Sequence, residues 1–322
     1  MLVLVAPGQG AQSPGFLTPW LDLPGVAERL SAWSDVAGLD LVRAGTEADE
    51  DEIRDTAVAQ PLLVAAGLVS AYALFEGPGP LRRDVGMVAG HSVGELTAAA
   101  LAGVITDEEA IALVRARGLA MAKAAAVTET GMAAILGGEQ DTVLAHLDRL
   151  GLTPANVNGA GQIVAAGTAA QLAELAADKP EGTRRVVPLK VAGAFHTEHM
   201  KPAVAALAAE TARLTPADPR IPYVSNGDGS VVTTGTGIVE RLVAQVASPV
   251  RWDACMETFA AHGATALVEA APGGTLTGLA KRALKGVRAV PVKTPEDIEK
   301  ARAAVAETAA ETAAPTAAEE SA

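Results

Sequence analysis

A serine between two glycines stands where one sequence pattern gives way to another. Residues 85–89 form a short apolar run typical of a buried strand, and from Glu95 small and apolar residues recur at helical spacing. Gly90-x-Ser92-x-Gly94 lies between them, and glycines on both sides leave room for a tight turn. A helix N-terminus at this point presents free N–H groups to a developing oxyanion. The pattern predicts that Ser92 is a nucleophile; the alternative is a glycine-rich turn whose serine only caps the helix.

Strand and helix patterns alternate along most of the chain, which favours an α/β fold with a mostly parallel sheet covered on both faces. Within 125–190 the order strand, helix, strand, strand, helix, strand matches a ferredoxin-like unit. We therefore expect a large α/β subdomain over 1–124 and 191–308, with a small ferredoxin-like subdomain inserted at 125–190. Residues 309–322 are rich in Ala, Glu, Thr and Pro without apolar periodicity, which predicts a disordered tail.

The segment before the serine junction also predicts a helix. Gln60-Pro61 precedes an apolar stretch that extends to Phe75, and proline suits the first turn of a helix, so we expect the helix to begin there. We identify no uncharged apolar run of about 18 residues, the length that a membrane span requires. We therefore expect no membrane partner.

Composition narrows the class of protein further. The formal net charge of −13 argues against nucleic-acid binding, because phosphates are neutralised by basic surfaces. The single cysteine, Cys255, allows no internal disulfide and is expected to be a buried thiol in a reducing cytoplasm. The N-terminus lacks the basic segment of a signal peptide. We expect a cytoplasmic protein.

A serine nucleophile needs a base, because the free hydroxyl is weak at neutral pH. Of the five histidines, His91 adjoins the serine but points elsewhere on the turn, His146 is expected on a solvated helix face, and His262 ends a helix. His196 follows small residues in a half-buried loop and is the preferred base. No aspartate stands out to orient it, so either a backbone carbonyl does so or the hydrolase analogy fails. The spacing of His196 and His199 is not that of a zinc site, and no metal is expected.

Two further features remain open when read from the residues alone. Arg117 could hold a carboxylate bidentately, but a surface position on its helix is favoured. The loop 7–12 follows the first strand and contains two glycines. It is either a plain turn or a loop that directs backbone amides at an anion.

Taken together, the motifs resemble those of the malonyl-CoA:acyl carrier protein transacylases, in an actinobacterial form. The resemblance extends over about residues 2–290, in the order and spacing of that family. It is carried by Gly8-Gln-Gly-Ala-Gln12, Gly90-His-Ser-Val-Gly-Glu95, Gly193-Ala-Phe-His196, Gln245-x-x-x-Pro249-Val-x-Trp252, Glu269-x-x-Pro272-Gly and Leu276-x-Gly-Leu279.

The resemblance implies a hydrolase-like core with the small subdomain inserted, and it implies roles for particular residues. Ser92 is expected to accept the acyl group and His196 to act as base, oriented by the backbone carbonyl of Gln245. The backbone N–H groups of Gln9 and Val93 are expected to form the oxyanion hole. The remaining expected substrate contacts are Arg117 as the clamp on the malonyl carboxylate, together with His91, Phe195, Met121 and Met132. In related domains phenylalanine before the catalytic histidine accompanies malonyl choice, and serine accompanies methylmalonyl choice.

The implied reaction moves a malonyl group from malonyl-CoA to the phosphopantetheine thiol of acyl carrier protein, for fatty acid or polyketide synthesis. It proceeds by ping-pong chemistry through a malonyl ester on the serine, with malonyl-CoA as substrate and no bound cofactor. A monomer is expected. The carrier is expected to be acidic, so docking to this acidic chain needs local basic residues. The candidates are Lys190 and Lys201, or Lys281, Arg282 and Lys285.

Two other functions are weighed against this one. A serine hydrolase acting on esters or thioesters would share Ser92 and His196, but would not need Arg117 and would normally have an acid to orient the base. A non-catalytic module that only binds the carrier would not need Ser92 or His196, yet both are present.

Overall fold

The computed structural model describes residues 1–77 and 85–313. Strands and helices alternate along the chain, as the sequence predicts. The strands are β1 Leu2–Ala6, β2 Met87–Gly90, β3 Thr130–Gly137, β4 Thr153–Gly159, β5 Gln162–Thr168, β6 Thr183–Pro188, β7 Tyr223–Val224, β8 Val231–Val232, β9 Val250–Arg251, β10 Ala266–Glu269 and β11 Arg288–Pro291. The helices are α1 Val26–Ala37, α2 Leu41–Thr46, α3 Thr56–Phe75, α4 Gly94–Leu101, α5 Asp107–Ala125, α6 Gln140–Arg149, α7 Ala169–Ala177, α8 Lys201–Thr211, α9 Gly235–Gln245, α10 Trp252–Ala261, α11 Thr275–Ala283 and α12 Ile298–Ala313.

The first sheet has the order β11-β10-β1-β2-β7-β8, and every neighbouring pair is parallel except β7–β8. Its central strand β1 is buried along its whole length, as expected for a parallel sheet covered on both faces. Ala6 pairs with Gly90 at the carboxyl ends of β1 and β2. The loop after β1 and the turn after β2 therefore meet at one edge of the sheet, which is where α/β folds build their sites.

The second sheet has the order β6-β3-β5-β4-β9. Its first four strands pair antiparallel, and α6 and α7 connect them. The fifth strand, β9, joins parallel to β4 through the pairing of Asn156 with Val250. Strand β9 lies outside the range 125–190 and was not predicted, because a two-residue strand carries no periodicity to detect.

Helix α3 corrects two expectations from the sequence. It begins at Thr56, capped by the Asp55 side chain, so Pro61 lies inside it and not in the first turn. Proline has no N–H to donate to the carbonyl of residue 57, four positions earlier. Arg115 Nη1 donates to that carbonyl at 2.7 Å, which satisfies the freed acceptor.

By length and composition alone, α3 could cross a membrane. The expectation that the chain has no uncharged apolar run of about 18 residues is therefore wrong. In the described part of the chain it is the one helix that passes this test, and 83% of its apolar window is buried inside the protein. It packs beside α4 and α5 as a core helix.

The C-terminal end also differs from expectation. Strand β11 extends the first sheet, and α12 is helical to Ala313, packing against α3 and β10. Residues 309–313 are therefore not the start of a disordered tail. Residues 314–322 lie outside the described residues.

Candidate active site

The turn that carries Ser92, from Gly90 to Gly94, is as tight as its glycines predict. Strand β2 ends at Gly90 and α4 begins at Gly94, with Ser92 between them at a φ of 54°. A Cβ on Gly90 would lie 1.9 Å from the carbonyl carbon of Gly94, and one on Gly94 would lie 2.2 Å from the oxygen of Ala6. No side chain fits at either position, so the glycines are needed to bring the turn against the sheet.

His196 reaches this serine from a loop 104 residues further along the chain. Its Nε2 lies 2.8 Å from Ser92 Oγ, and its side chain is buried. Burial and, to a smaller extent, the nearby Arg117 cation together lower the pKa of His196 to about 3. The imidazole is therefore neutral at physiological pH.

The other imidazole nitrogen of His196 faces Gln245, the last residue of α9. Nδ1 lies 3.1 Å from the backbone oxygen of Gln245 and 2.8 Å from its side-chain Nε2. The group that orients His196 is therefore an amide and not a carboxylate, and both the main chain and the side chain of Gln245 contact it.

Arg117 lies on α5 and is 2% exposed, so the surface position favoured from the residues alone is wrong. Its Nη1 donates to Gln60 Oε1 at 2.7 Å, and its Nη2 donates to Gln245 Oε1 at 2.7 Å and to Ser92 Oγ at 3.2 Å. Within residues 1–77 and 85–313 no carboxylate forms an ion pair with it. Burial lowers the pKa of Arg117 to about 10, so the guanidinium remains charged at neutral pH.

Two backbone amides beside the serine have free N–H groups. Neither Gln9 N nor Val93 N donates a hydrogen bond to any described residue, and both residues line the same cleft as Ser92. The Gln9 side chain donates to the carbonyl of Arg54, which fixes the loop that carries its amide. Unpartnered backbone N–H groups beside a serine are the kind of donor that an oxyanion hole uses.

Gln9, Ser92, Val93 and His196 line a cleft of about 210 Å³ between the two sheets. Arg117 and Gln245 are not among the lining residues and lie behind Ser92 and His196, which they contact. Four residues predicted to contact substrate lie in its wall: His91, Phe195, Met121 and Met132. The remaining wall, beside Gln9, Ser92, Val93 and His196, comes from Gly8, Gln60, Asn156, Asn158, Gln162, Val164, Leu189, Val191, Thr275, Leu276 and Leu279.

His91 connects the Ser92 turn to the second sheet. Its Nε2 lies 2.9 Å from Asn158 Oδ1 on β4, and its ring packs against Trp252 with centroids 5.7 Å apart. Burial lowers the pKa of His91, so the ring is held neutral as a structural contact. Its side chain makes no hydrogen bond to Ser92 in this part of the structure, as the geometry of adjacent turn residues predicts.

Three functional neighbours were missed from the sequence. Asn226 donates from its backbone to Glu95 Oε1 at 2.7 Å and from its side chain to the carbonyl of Gly90 at 2.8 Å, so it ties both ends of the turn. Burial raises the pKa of Glu95 to about 7. Gln60, which holds Arg117, is the third. A lone amide in the apolar helix α3 was the available signal for Gln60, whereas nothing local marked Asn226.

The basic residues expected to dock the carrier protein lie on the surface. Lys190 and Lys201, the basic pair, are exposed, and Lys201 is 3.7 Å from Glu198. Lys281, Arg282 and Lys285, the basic trio, are exposed at and just beyond the end of α11, whose opposite end lines the cleft.

Two further expectations concern residues away from the cleft. Cys255 is buried, as expected. His146 is buried and contacts the carbonyl of Asp178 at 2.8 Å, so the expectation that it is solvated is wrong. In residues 1–77 and 85–313 no group of three His, Cys, Asp or Glu side chains is placed to hold a metal ion.

Comparison with known proteins places this arrangement among acyl transferases. Residues 3–314 match the family described as acyl transferase domain. The malonyl CoA-acyl carrier protein transacylase of Mycobacterium tuberculosis is 52% identical over 93% of this chain and 98% of its own length. The crystal structure of MCAT from Mycobacterium tuberculosis superposes with a TM-score of 0.87 at 50% identity, covering 93% of this chain and 99% of that one.

A second solved structure contains a partner. It is a type II PKS acyl-carrier protein in complex with its malonyl-transacylase, 32% identical, with a TM-score of 0.87 over 94% of this chain and 99% of that one.

Proposed function

The chain belongs to the acyl transferase domain family, among the malonyl CoA-acyl carrier protein transacylases, and from that membership we propose that it transfers malonyl groups through an ester on Ser92. The acyl donor is malonyl-CoA and the acceptor is the phosphopantetheine thiol of acyl carrier protein. One observation carries the proposal: the buried Arg117 cation has no ion-pair carboxylate in the described structure and donates to the same Ser92 oxygen that His196 contacts.

In the first half-reaction His196 takes the hydroxyl proton of Ser92 as the oxygen attacks the thioester carbonyl. The developing oxyanion is met by the N–H groups of Gln9 and Val93; loss of one such donor typically lowers the rate by about 10²–10³. Protonated His196 then gives its proton to the departing CoA sulfur, and a malonyl ester remains on Ser92.

In the second half-reaction the carrier thiol takes the place of CoA. His196 removes the thiol proton, the sulfur attacks the ester carbonyl, and the proton returns to Ser92 Oγ as malonyl-carrier leaves. The two thiols use the same base and the same oxyanion amides in turn, which makes the reaction ping-pong and needs no cofactor.

Selectivity is assigned to Arg117 and Phe195. The guanidinium of Arg117 binds the malonyl carboxylate, and a hydrogen bond of this charged kind contributes about 1.5–3 kcal/mol. Phe195 precedes the base and lines the cleft, where its ring would crowd an α-methyl group. Malonyl is therefore preferred to methylmalonyl. His91, Met121 and Met132 complete the wall against the acyl group.

We extend the proposal to the architecture. The strand order of β3–β6, numbered 4-1-3-2 within the unit, supports a ferredoxin-like small subdomain over 125–190, to which β9 is added. Residues 1–124 and 191–308 would form a hydrolase-like large subdomain. We also propose that the protein is a monomer of the cytoplasm. Its single thiol, Cys255, is free and buried, which suits a reducing compartment.

The decisive experiment is intact-mass analysis after incubation with malonyl-, methylmalonyl- or acetyl-CoA. A malonyl increment that maps to Ser92, is absent in Ser92→Ala and is discharged by carrier protein is expected. Release of free malonate without carrier, faster than transfer, would instead favour a serine hydrolase.

A further inference from the structure

The side chain of Gln245 contacts His196 and Arg117 at the same time. Arg117 Nη2 donates to Gln245 Oε1 at 2.7 Å, and Gln245 Nε2 lies 2.8 Å from His196 Nδ1. All three side chains are at least 95% buried, so bulk solvent screens these contacts little, and His196 meets water only where it lines the cleft. A guanidinium only donates, so it fixes the amide orientation: the oxygen faces Arg117 and the NH₂ group faces the imidazole.

The side-chain amide of Gln245 and its backbone carbonyl make opposite demands on His196 Nδ1. The backbone oxygen of Gln245 lies 3.1 Å from His196 Nδ1 and can only accept a hydrogen bond. The side-chain NH₂ group can only donate one. Because Nδ1 carries either a proton or a lone pair, one of the two contacts operates at a time, and the choice sets the tautomer of the imidazole.

The two tautomers differ in what they do to the nucleophile. With the proton on Nδ1, Nε2 has a lone pair and accepts the proton of Ser92. With the amide of Gln245 donating to Nδ1, the proton is on Nε2 and points at Ser92 Oγ, 2.8 Å away. In that state Ser92 has no base.

We propose that the Gln245 side chain is a positioning residue that couples carboxylate binding at Arg117 to the tautomer of His196. Without a carboxylate, Arg117 holds the amide so that it donates to Nδ1. A malonyl carboxylate binds Nη2 of Arg117 in place of Gln245 Oε1, which releases the side-chain amide. The Nδ1–H of His196 then donates to the backbone carbonyl of Gln245. One proton is lost from Nε2 and one is gained at Nδ1 by exchange with water, with no net change.

The inference rests on the proposed function and adds a reason for its selectivity. An acyl group without a carboxylate leaves the amide in place, so it meets a serine without a base. Selection for malonyl then acts on the rate of acylation as well as on binding.

Gln245→Met removes the amide and keeps the backbone carbonyl. Intact-mass time courses should show acylation by acetyl-CoA rising about tenfold, the order of effect of one net hydrogen bond. The malonyl rate of the same variant is measured alongside. The ratio of the acetyl to the malonyl rate should rise, because in the wild type the malonyl carboxylate already releases the amide. Gln60→Met is the matched control: it removes the other amide on Arg117 without touching His196, and the acetyl rate should not rise.

Nitrogen-15 NMR of the unmodified protein gives a second measurement that requires no variant. Free protein should show Nδ1 of His196 unprotonated, and saturating malonate should protonate it, whereas acetamide should not. Nδ1 already protonated in the free protein, or an unchanged acetyl rate in Gln245→Met, would overturn the switch. Failure of malonyl-CoA to acylate wild-type Ser92 would instead overturn the proposed function.

Discussion

Ser92 and His196 share a 2.8 Å contact, and both have a left-handed backbone, with φ of 54° and 62°. This region disfavours residues that carry a Cβ by roughly 1–2 kcal/mol. The residues that meet across the site are therefore both held in unfavourable conformations by the fold around them. Such strain persists only where the surroundings over-determine it, which is characteristic of functional sites.

A glycine at position 92 should relieve this strain. Compared with Ser92→Ala, Ser92→Gly is expected to increase the free energy of unfolding by about 1 kcal/mol. Both variants lack the hydroxyl, so the comparison isolates the backbone. Urea denaturation of the two proteins measures it, and a less stable glycine variant would show that the turn is not strained.

Arg117→Ala should separate substrate selection from chemistry. We expect malonyl transfer to fall by about 10–100-fold, equivalent to the 1.5–3 kcal/mol of a charged hydrogen bond. Transfer of a neutral acyl group should persist or increase. Arg117→Lys keeps the charge but not the bidentate geometry and should rescue malonyl transfer only in part. Steady-state kinetics with both donors decides, and retained malonyl preference in the alanine variant would reject the clamp.

The pKa of His196 makes a prediction about pH. The proposed base is the neutral imidazole, which predominates above a pKa of about 3. The acylation rate should therefore not fall through protonation of His196 between pH 8 and pH 5. Removing the cation with Arg117→Met should raise the pKa of His196, because Arg117 is one of its lowering causes, while burial still holds it below the ordinary value. Imidazole NMR titration of both proteins tests this, and an unchanged pKa would contradict it.

Much of this site follows from local pattern, and what does not has a physical reason. The turn at Ser92 was predictable because glycine, serine and helix signals are adjacent in the chain. The burial of Arg117 was not, because its partners Gln60 and Gln245 lie 57 and 128 residues away. Family resemblance supplied that residue where periodicity favoured the surface.

The fold shows the same division. Strands and helices of ordinary length were predicted, whereas the two-residue β9 was not. The start of α3 was misplaced because Pro61 is normally a first-turn residue. Its tolerance inside the helix depends on Arg115, a residue of another helix, donating to the carbonyl of Ala57.

Glu95 should make stability depend on pH. Burial raises its pKa from 4.5 to about 7 in the folded protein. The folded state therefore binds the proton more tightly than the unfolded state. The contribution of Glu95 to the free energy of unfolding is fully present below pH 4.5 and is lost as the pH rises to about 7. At about 1.4 kcal/mol per pKa unit, the loss attributable to Glu95 is about 3 kcal/mol.

Glu95→Gln removes the titration and keeps the size and an acceptor for Asn226. Its unfolding free energy should lose this part of the pH dependence, which denaturation at pH 5 and pH 7.5 measures. Identical pH dependence in both proteins would show that Glu95 is ionised throughout.

The two basic clusters make competing predictions for carrier docking. The neighbours of Lys190 line the cleft, and the basic trio lies at the far end of a helix that also reaches it. Charge reversal of the basic pair (Lys190 and Lys201) should raise the KM for carrier protein up to about thirtyfold at low salt, given 0.2–1 kcal/mol for each of the two exposed ion pairs. The KM for malonyl-CoA and the stability of the fold should not change, and added salt should shrink the difference. Reversal of Lys281, Arg282 and Lys285 in a separate variant is the parallel test, and unchanged carrier kinetics with both clusters reversed together would reject docking at either.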